Sequence, residues 1–187
     1  MHHGMFWNGA KPVTGALYEK LKIAMDAGLA IYSAHIPLDV HPSLGNNARY
    51  AEALGLTKTE PFFPWKGIQL GLRGHWDGDL QSLVTAAEQV LGSPVHVRGE
   101  LDVGAGAVGI ITGGAGSEVE AIAAEGIDTF LTGEGPHWSY TAAEELGLNM
   151  IYGGHYATET FGVRALAERL EDQFGLPWDF LDHPTGL

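Results

Sequence analysis

The chain contains no cysteine. That excludes a disulfide framework and every thiolate metal site, so any metal it holds must be held by imidazole and carboxylate. Basic residues are scarce: ten Lys and Arg stand against 23 Asp and Glu, for a formal net charge of −13 at pH 7. General nucleic-acid binding is excluded with them, because phosphate contacts need clustered positive charge. The acidity itself has two readings, a solubility device or an offset to bound cations. No apolar run approaches the roughly 20 residues that a membrane span needs. The opening MHHGMFWNGAKP also lacks the apolar core of a signal segment. The expectation is a cytoplasmic protein with no membrane partner, and the absence of cysteine fits a reducing compartment.

What is present is an ordinary globular composition over 187 residues, 45% hydrophobic with mean hydropathy at zero. This length suits one domain, residues 1–187, and no repeat, low-complexity stretch or linker divides it. Helical patterns are expected over 13–27, 46–54, 77–91, 117–125, 136–146 and 157–174. The helix over 77–91 places Leu80, Leu83, Val84, Ala87 and Leu91 on one face. Ser117 and Glu120 form an S-x-x-E capping pattern, and Pro136 stands in the favoured first turn of its helix. Strands are expected over 30–34, 68–73, 94–98, 107–112, 128–131 and 149–152. Residues 57–66, with two prolines and three aromatics, form the most irregular stretch and are expected to be a surface lobe. Strand and helix in alternation imply an α/β fold, a mixed or largely parallel sheet flanked by helices.

Four clusters carry chemistry. Adjacent His2 and His3 would point to opposite sides of an extended backbone, so each could serve a different ion of a close pair; the alternative is a tag remnant. Ser33-Ala34-His35-Ile36-Pro37-Leu38-Asp39 follows an apolar strand, where α/β folds place their chemistry, although Asp39 could equally cap the next element. In Gly153-Gly154-His155-Tyr156-Ala157-Thr158-Glu159, a His and a Glu four apart at a helix start would aim at one point. Both ligand types suit Zn, Mn or Fe. Thr132-Gly133-Glu134-Gly135-Pro136-His137 sets an acid and an imidazole at another strand end: part of the same site, a general acid/base pair, or only a cap. Gly104-Ala105-Gly106-Ala107-Val108-Gly109 matches G-x-G-x-x-G, but a strand follows it, so it is not a dinucleotide fingerprint. Gly113, Gly114 and Gly116 read as a tight turn for packing, since Glu118 and Glu120 would repel a phosphate. His41, His75, His96 and His183 read as ordinary surface or packing residues.

In this order HHGMFW, SAHIPLD, TGEGPH and GGHYATE resemble the Nif-three-like family of dinuclear metal-centre proteins, from residue 2 to about residue 173. Members bind two metal ions, several carry the name GTP cyclohydrolase I type 2 homolog, and they form toroidal hexamers. The resemblance therefore implies two divalent transition-metal ions (Zn, Fe, Mn or Co) held by His2, His3, Asp39, His155 and Glu159. His35, Glu134 and His137 would line the same pocket and move protons. Members carry a further strand and helix before HHG, so this chain is expected to be N-terminally shortened relative to them. The implied activity is metal-dependent hydrolysis of a small molecule by a homo-oligomer, with a purine ring as the substrate that the family name suggests. The rival is a metal-binding, metal-delivery or regulatory scaffold without turnover.

Overall fold

Residues 1–186 are described by a computed structural model, and their contacts divide into two compact units, Met1–His35 and Ile36 onward.

The first unit is built on helix α1 (Gly15–Asp26), which buries Ala24 and leaves Tyr18, Ile23 and Met25 exposed. The strand expected over 30–34 does not form. Those residues are tied instead to the chain start: the Met1 ammonium donates to the Tyr32 carbonyl at 3.0 Å, Ala34 N–H donates to the Met1 carbonyl at 3.2 Å, and the Ala34 carbonyl lies 2.9 Å from His2 Nδ1. These isolated bonds hold the segment without making a ladder.

The second unit holds the sheet. Its helices are α2 (Ile36–Asp39), α3 (Asn46–Leu54), α4 (Leu80–Leu91), α5 (Val119–Ala124), α6 (His137–Leu146), α7 (His155–Thr158) and α8 (Thr160–Phe174). Its strands are β1 (Thr57–Trp65), β2 (Ile68–Asp79), β3 (His96–Arg98), β4 (Gly104–Ile110), β5 (Thr129–Thr132) and β6 (Asn149–Tyr152). They form one mixed sheet in the order β1-β2-β4-β5-β6-β3, in which β4-β5-β6 run parallel and the other pairs antiparallel. Side-chain alternation along the central strands feeds two cores. Leu131 and Ile151 pack with Tyr50 and Leu54 of α3 and Leu80, Leu83, Val84 and Ala87 of α4. Their neighbours Phe130 and Met150 pack with Val119 and Ile122 of α5 and Ala143 of α6. Helices thus cover both faces.

Residues 57–66 are not a lobe. Thr57–Trp65 form the edge strand β1, paired antiparallel with β2 and irregular between Thr57 and Glu60. An edge position tolerates Pro61 and Pro64, which have no N–H to give to a ladder. The turn to β2 is two residues, Lys66 and Gly67, at φ +46° and +85°. This left-handed pair suits the twist of a hairpin, and Gly67 supplies the conformation without steric cost. Two helix starts also differ from expectation. β2 runs on to Asp79, whose carboxylate then caps α4 by accepting from Ser82 N–H at 2.8 Å. The Ser117–Glu120 capping pattern makes no cap: a 3-10 turn (Gly116–Glu118) precedes α5, and the Ser117 hydroxyl donates to Glu118 at 3.3 Å.

Candidate metal centre

In the first unit the chain bends at His3, so His2 and His3 do not point to opposite sides as an extended backbone would have them. Their ring centroids lie 5.0 Å apart, and His35 stands 4.9 Å from one and 4.8 Å from the other. Each of the three imidazoles offers a nitrogen within 4.8 Å of the other two. The Ala34 carbonyl lies 2.9 Å from His2 Nδ1, which favours the tautomer with hydrogen on Nδ1 and a lone pair on Nε2. Trp7 stacks on His3 at 5.0 Å and 25°. Gly4 lies so close to the Ser33 side chain that a Cβ would collide with it. His35 thus stands in one imidazole cluster with His2 and His3.

In the second unit the chemistry gathers beyond the carboxyl ends of the parallel strands, as the topology of open α/β sheets favours. Glu134 follows β5, while His155 and Glu159 follow β6. The loops there are tied by backbone bonds: Gly133 and Glu134 N–H both donate to the Gly113 carbonyl, at 2.8 and 3.0 Å, and Gly154 N–H donates to Gly133 at 2.9 Å. Thr158, fully buried, accepts from Gly113 N–H at 3.1 Å and donates to the Gly154 carbonyl at 2.9 Å. Gly113 has φ +74°, and a Cβ there would meet the Glu159 carboxylate and His155 Nε2. The expected packing turn is therefore also a gap kept open beside two polar side chains.

His155 is held from both sides. Its Nδ1 lies 2.8 Å from Glu134 Oε1 and its Nε2 lies 3.1 Å from Glu159 Oε2. The helix expected over 157–174 breaks at Glu159, which sits between α7 and α8 at φ −103° and ψ 11°. The four-residue spacing nonetheless brings its carboxylate to the imidazole. Hydrogen bonding to Glu159, helped by Glu134 and opposed by burial, raises the His155 pKa from its ordinary 6.5 to about 9.

Asp39 closes α2 with its carboxylate buried, and Oδ1 accepts from Asn46 Nδ2 at 2.7 Å. Asn46 is wholly buried, and its own oxygen accepts from Gly162 N–H of α8 at 2.6 Å. Asp39 and Glu159 offer carboxylate oxygens within 4.8 Å of each other. Two carboxylates brought together beside an imidazole are donors of the type that could hold a divalent cation. His137 is exposed at the start of α6. Together with Glu134 it lines a cavity of about 790 Å3, to which Tyr140, Tyr152 and His96 also contribute.

Asn46 and Thr158, which position these groups, escape a motif reading. Their signal is a polar side chain at a place where a helix face turns inward, and Thr158 stands inside GGHYATE itself. His96, taken from sequence as an ordinary residue, is a wall of the cavity.

The chain has extensive relatives. The profile of the Duf34/NIF3 (NGG1p interacting factor 3) family matches residues 1–185. A protein of Deinococcus radiodurans named GTP cyclohydrolase 1 type 2 homolog is 46% identical over 190 residues, spanning all of this chain and 72% of that one. Among solved structures, the protein ybgI, of unknown function, superposes with a TM-score of 0.88 at 34% identity, covering 98% of this chain and 74% of its own. A protein of Thermus thermophilus gives 0.85 at 40%, covering 100% and 74%. With a family profile matched along almost its whole length, and a fold shared with relatives at this level of identity, the chain belongs to the Duf34/NIF3 family.

Proposed function

We propose that this chain is a dinuclear metal-binding protein, with His2, His3, Asp39, His155 and Glu159 as ligands, and that it works as a metal-dependent hydrolase. The observation that carries the reading is the Glu134–His155–Glu159 array, with Nδ1 at 2.8 Å from one carboxylate and Nε2 at 3.1 Å from the other. A ligating imidazole is commonly held in this way: a carboxylate behind it fixes tautomer and orientation while the second ring nitrogen faces the ion. Glu134 would be that outer carboxylate, and Glu159 would share the ion with His155. The nearness of the Asp39 and Glu159 carboxylates and the three imidazoles of the first unit supply further donors of the right kind. Without cysteine, this set suits Zn, Fe, Mn or Co rather than a soft-metal site.

Ions of this class, when bound, supply Lewis acidity toward water and substrate oxygen. The chain's own residues would do the rest. Asn46 holds Asp39 in place, Glu134 keeps the Nδ1 proton of His155, and His137 stands at the cavity as a proton carrier toward a leaving group. The name carried by the relatives points to hydrolytic opening of a purine ring. We further propose a homo-oligomer, a hexamer by resemblance, for which the exposed Tyr18, Ile23 and Met25 of α1 offer apolar surface.

Elemental analysis of tag-free protein tests the reading. Near two ions per chain are expected, with a marked loss in His155→Ala and in a His2→Ala/His3→Ala double variant. Turnover of a panel including GTP, nucleosides and free bases should require metal and vanish in His155→Ala. Metal at full occupancy with no turnover of any panel member would leave the scaffold reading standing, and metal content unchanged in both variants would refute the ligand assignment.

A further inference from the structure

The cavity beside Glu134 has a chemical character of its own. Its volume, about 790 Å3, lies within the range of small-molecule sites, about 300–1,000 Å3. Tyr140, Tyr152 and Tyr156 line it, and so does His96. The His96 ring stands 5.5 Å from Tyr140 at 39° and 6.2 Å from Tyr152 at 37°, so α6, β3 and β6 together present an aromatic wall. Side-chain bonds hold that wall in place. The Tyr152 hydroxyl lies 2.8 Å from Ser139 Oγ. The Tyr156 hydroxyl donates to Asp182 at 2.7 Å and accepts from His183 N–H at 2.8 Å, which draws the C-terminal tail in so that Pro184 also lines the cavity.

The charge of the lining is equally specific. Among the described residues neither lysine nor arginine lines it, and the one carboxylate side chain is Glu134, in a chain whose formal net charge is −13. Gly133, Gly135, Gly153 and Gly154 also line the cavity, but with no cationic side chain among the described lining residues a polyanion entering here would meet the Glu134 carboxylate and a repulsive field. A flat, uncharged ring would meet aromatic faces, and its N–H groups would meet a carboxylate acceptor.

We infer that this cavity binds an uncharged planar nitrogen heterocycle carrying N–H donors, as a free base or nucleoside, in preference to its phosphorylated form. The ring lies against Tyr140 and His96, and its N–H edge is directed to Glu134. The inference rests on the proposed hydrolase only in supplying that site's substrate class, since the binding itself needs no metal.

The test is calorimetric titration of the full chain, stripped of metal by chelation, with guanosine and with GTP. Guanosine is expected to bind at least tenfold more tightly than GTP. Tyr140→Ala should weaken guanosine about tenfold, the loss of one stacking face, while Tyr140→Phe retains binding. Circular dichroism and the thermal melt establish that both variants are folded; should Tyr140→Ala fail to fold, His96→Ala, at an exposed strand position, takes its place with the same expected loss. GTP binding as tightly as guanosine, no detectable guanosine binding, or full affinity in the ring-deleted variant would each overturn the inference. Metal content and turnover are read separately on the same preparations. Failure of guanosine binding with metal and turnover intact therefore overturns this inference alone, and bound guanosine without turnover overturns the hydrolase reading alone.

Discussion

Replacing Asn46 with Ala removes a single amide that joins three helices. Asn46 opens α3, donates to Asp39 at the end of α2, and accepts from Gly162 N–H in the first turn of α8, 116 residues along the chain. The side chain is 0% exposed, so water cannot readily take over either bond. A hydrogen bond to an ionised carboxylate contributes about 1.5–3 kcal/mol, and a buried N–H left without its acceptor costs about 1–3 kcal/mol. Some relaxation around the smaller side chain offsets part of the sum, and the expected loss is about 3 kcal/mol. For a chain of this size that corresponds to a fall of about 6–12 °C in Tm. Urea denaturation and thermal melts, in chelator and at matched protein concentration, measure it. Asn46→Asp sharpens the test. It keeps an acceptor for Gly162 but sets a second carboxylate against Asp39, so one of the pair has its folded-state pKa raised above its unfolded value. A raised pKa contributes stability that is present at low pH and is lost as pH rises, so the deficit of this variant should grow between about pH 4 and pH 7. A deficit under about 1 kcal/mol for Asn46→Ala, or a pH-independent deficit for Asn46→Asp, would refute the account.

Three further outcomes are expected. Glu134→Gln should bind metal about 10–100-fold more weakly while remaining folded, because the imidazole of His155 loses the charge that orients it; competition with a chromogenic chelator reads this, and unchanged affinity would sink the role given to Glu134. In the metal-free protein His155 should titrate near pH 9, and lower in Glu159→Gln, by nitrogen-15 NMR of the imidazole. Its folded pKa lies above the unfolded value, so its contribution to stability is complete below about pH 6.5 and is lost as pH rises through about 9; a titration at the ordinary histidine value would contradict the geometry. Phe130→Ala, at a wholly buried position in the central strand, should cost about 3–5 kcal/mol by denaturant titration, and a cost near 1 would mean that the second core is poorly packed.

Much of the architecture was legible because it is local. The face of α4, with Leu80, Leu83, Val84 and Ala87, reads directly from 3.6-residue periodicity, and α3 and β6 fall where pattern and flanking glycine place them. The edge strand β1 was not legible. Pro61 and Pro64 argue against a strand on local grounds, and only the position at the sheet edge makes them harmless. The break at Glu159 and the failed cap at Ser117 were not legible either: Glu159 keeps its four-residue partner His155 although the helix is interrupted between α7 and α8, and the Ser117 hydroxyl turns to its neighbour Glu118.

The sequence by itself determined the kind of chemistry available: no thiolate, scarce positive charge, and four ordered motifs that carry imidazoles and carboxylates. The tertiary structure decided how those groups are used. Within the first unit a bend at His3 turns adjacent histidines into a cluster with His35. Within the second, loops beyond β5 and β6 set Glu134 and Glu159 on opposite sides of one imidazole, and an asparagine far along the chain from α8 holds Asp39. Spacing in sequence can aim a His and a Glu at a common point only within one helical turn. A carboxylate 21 residues away reaches the same ring because parallel strands deliver their carboxyl ends to one edge of the sheet.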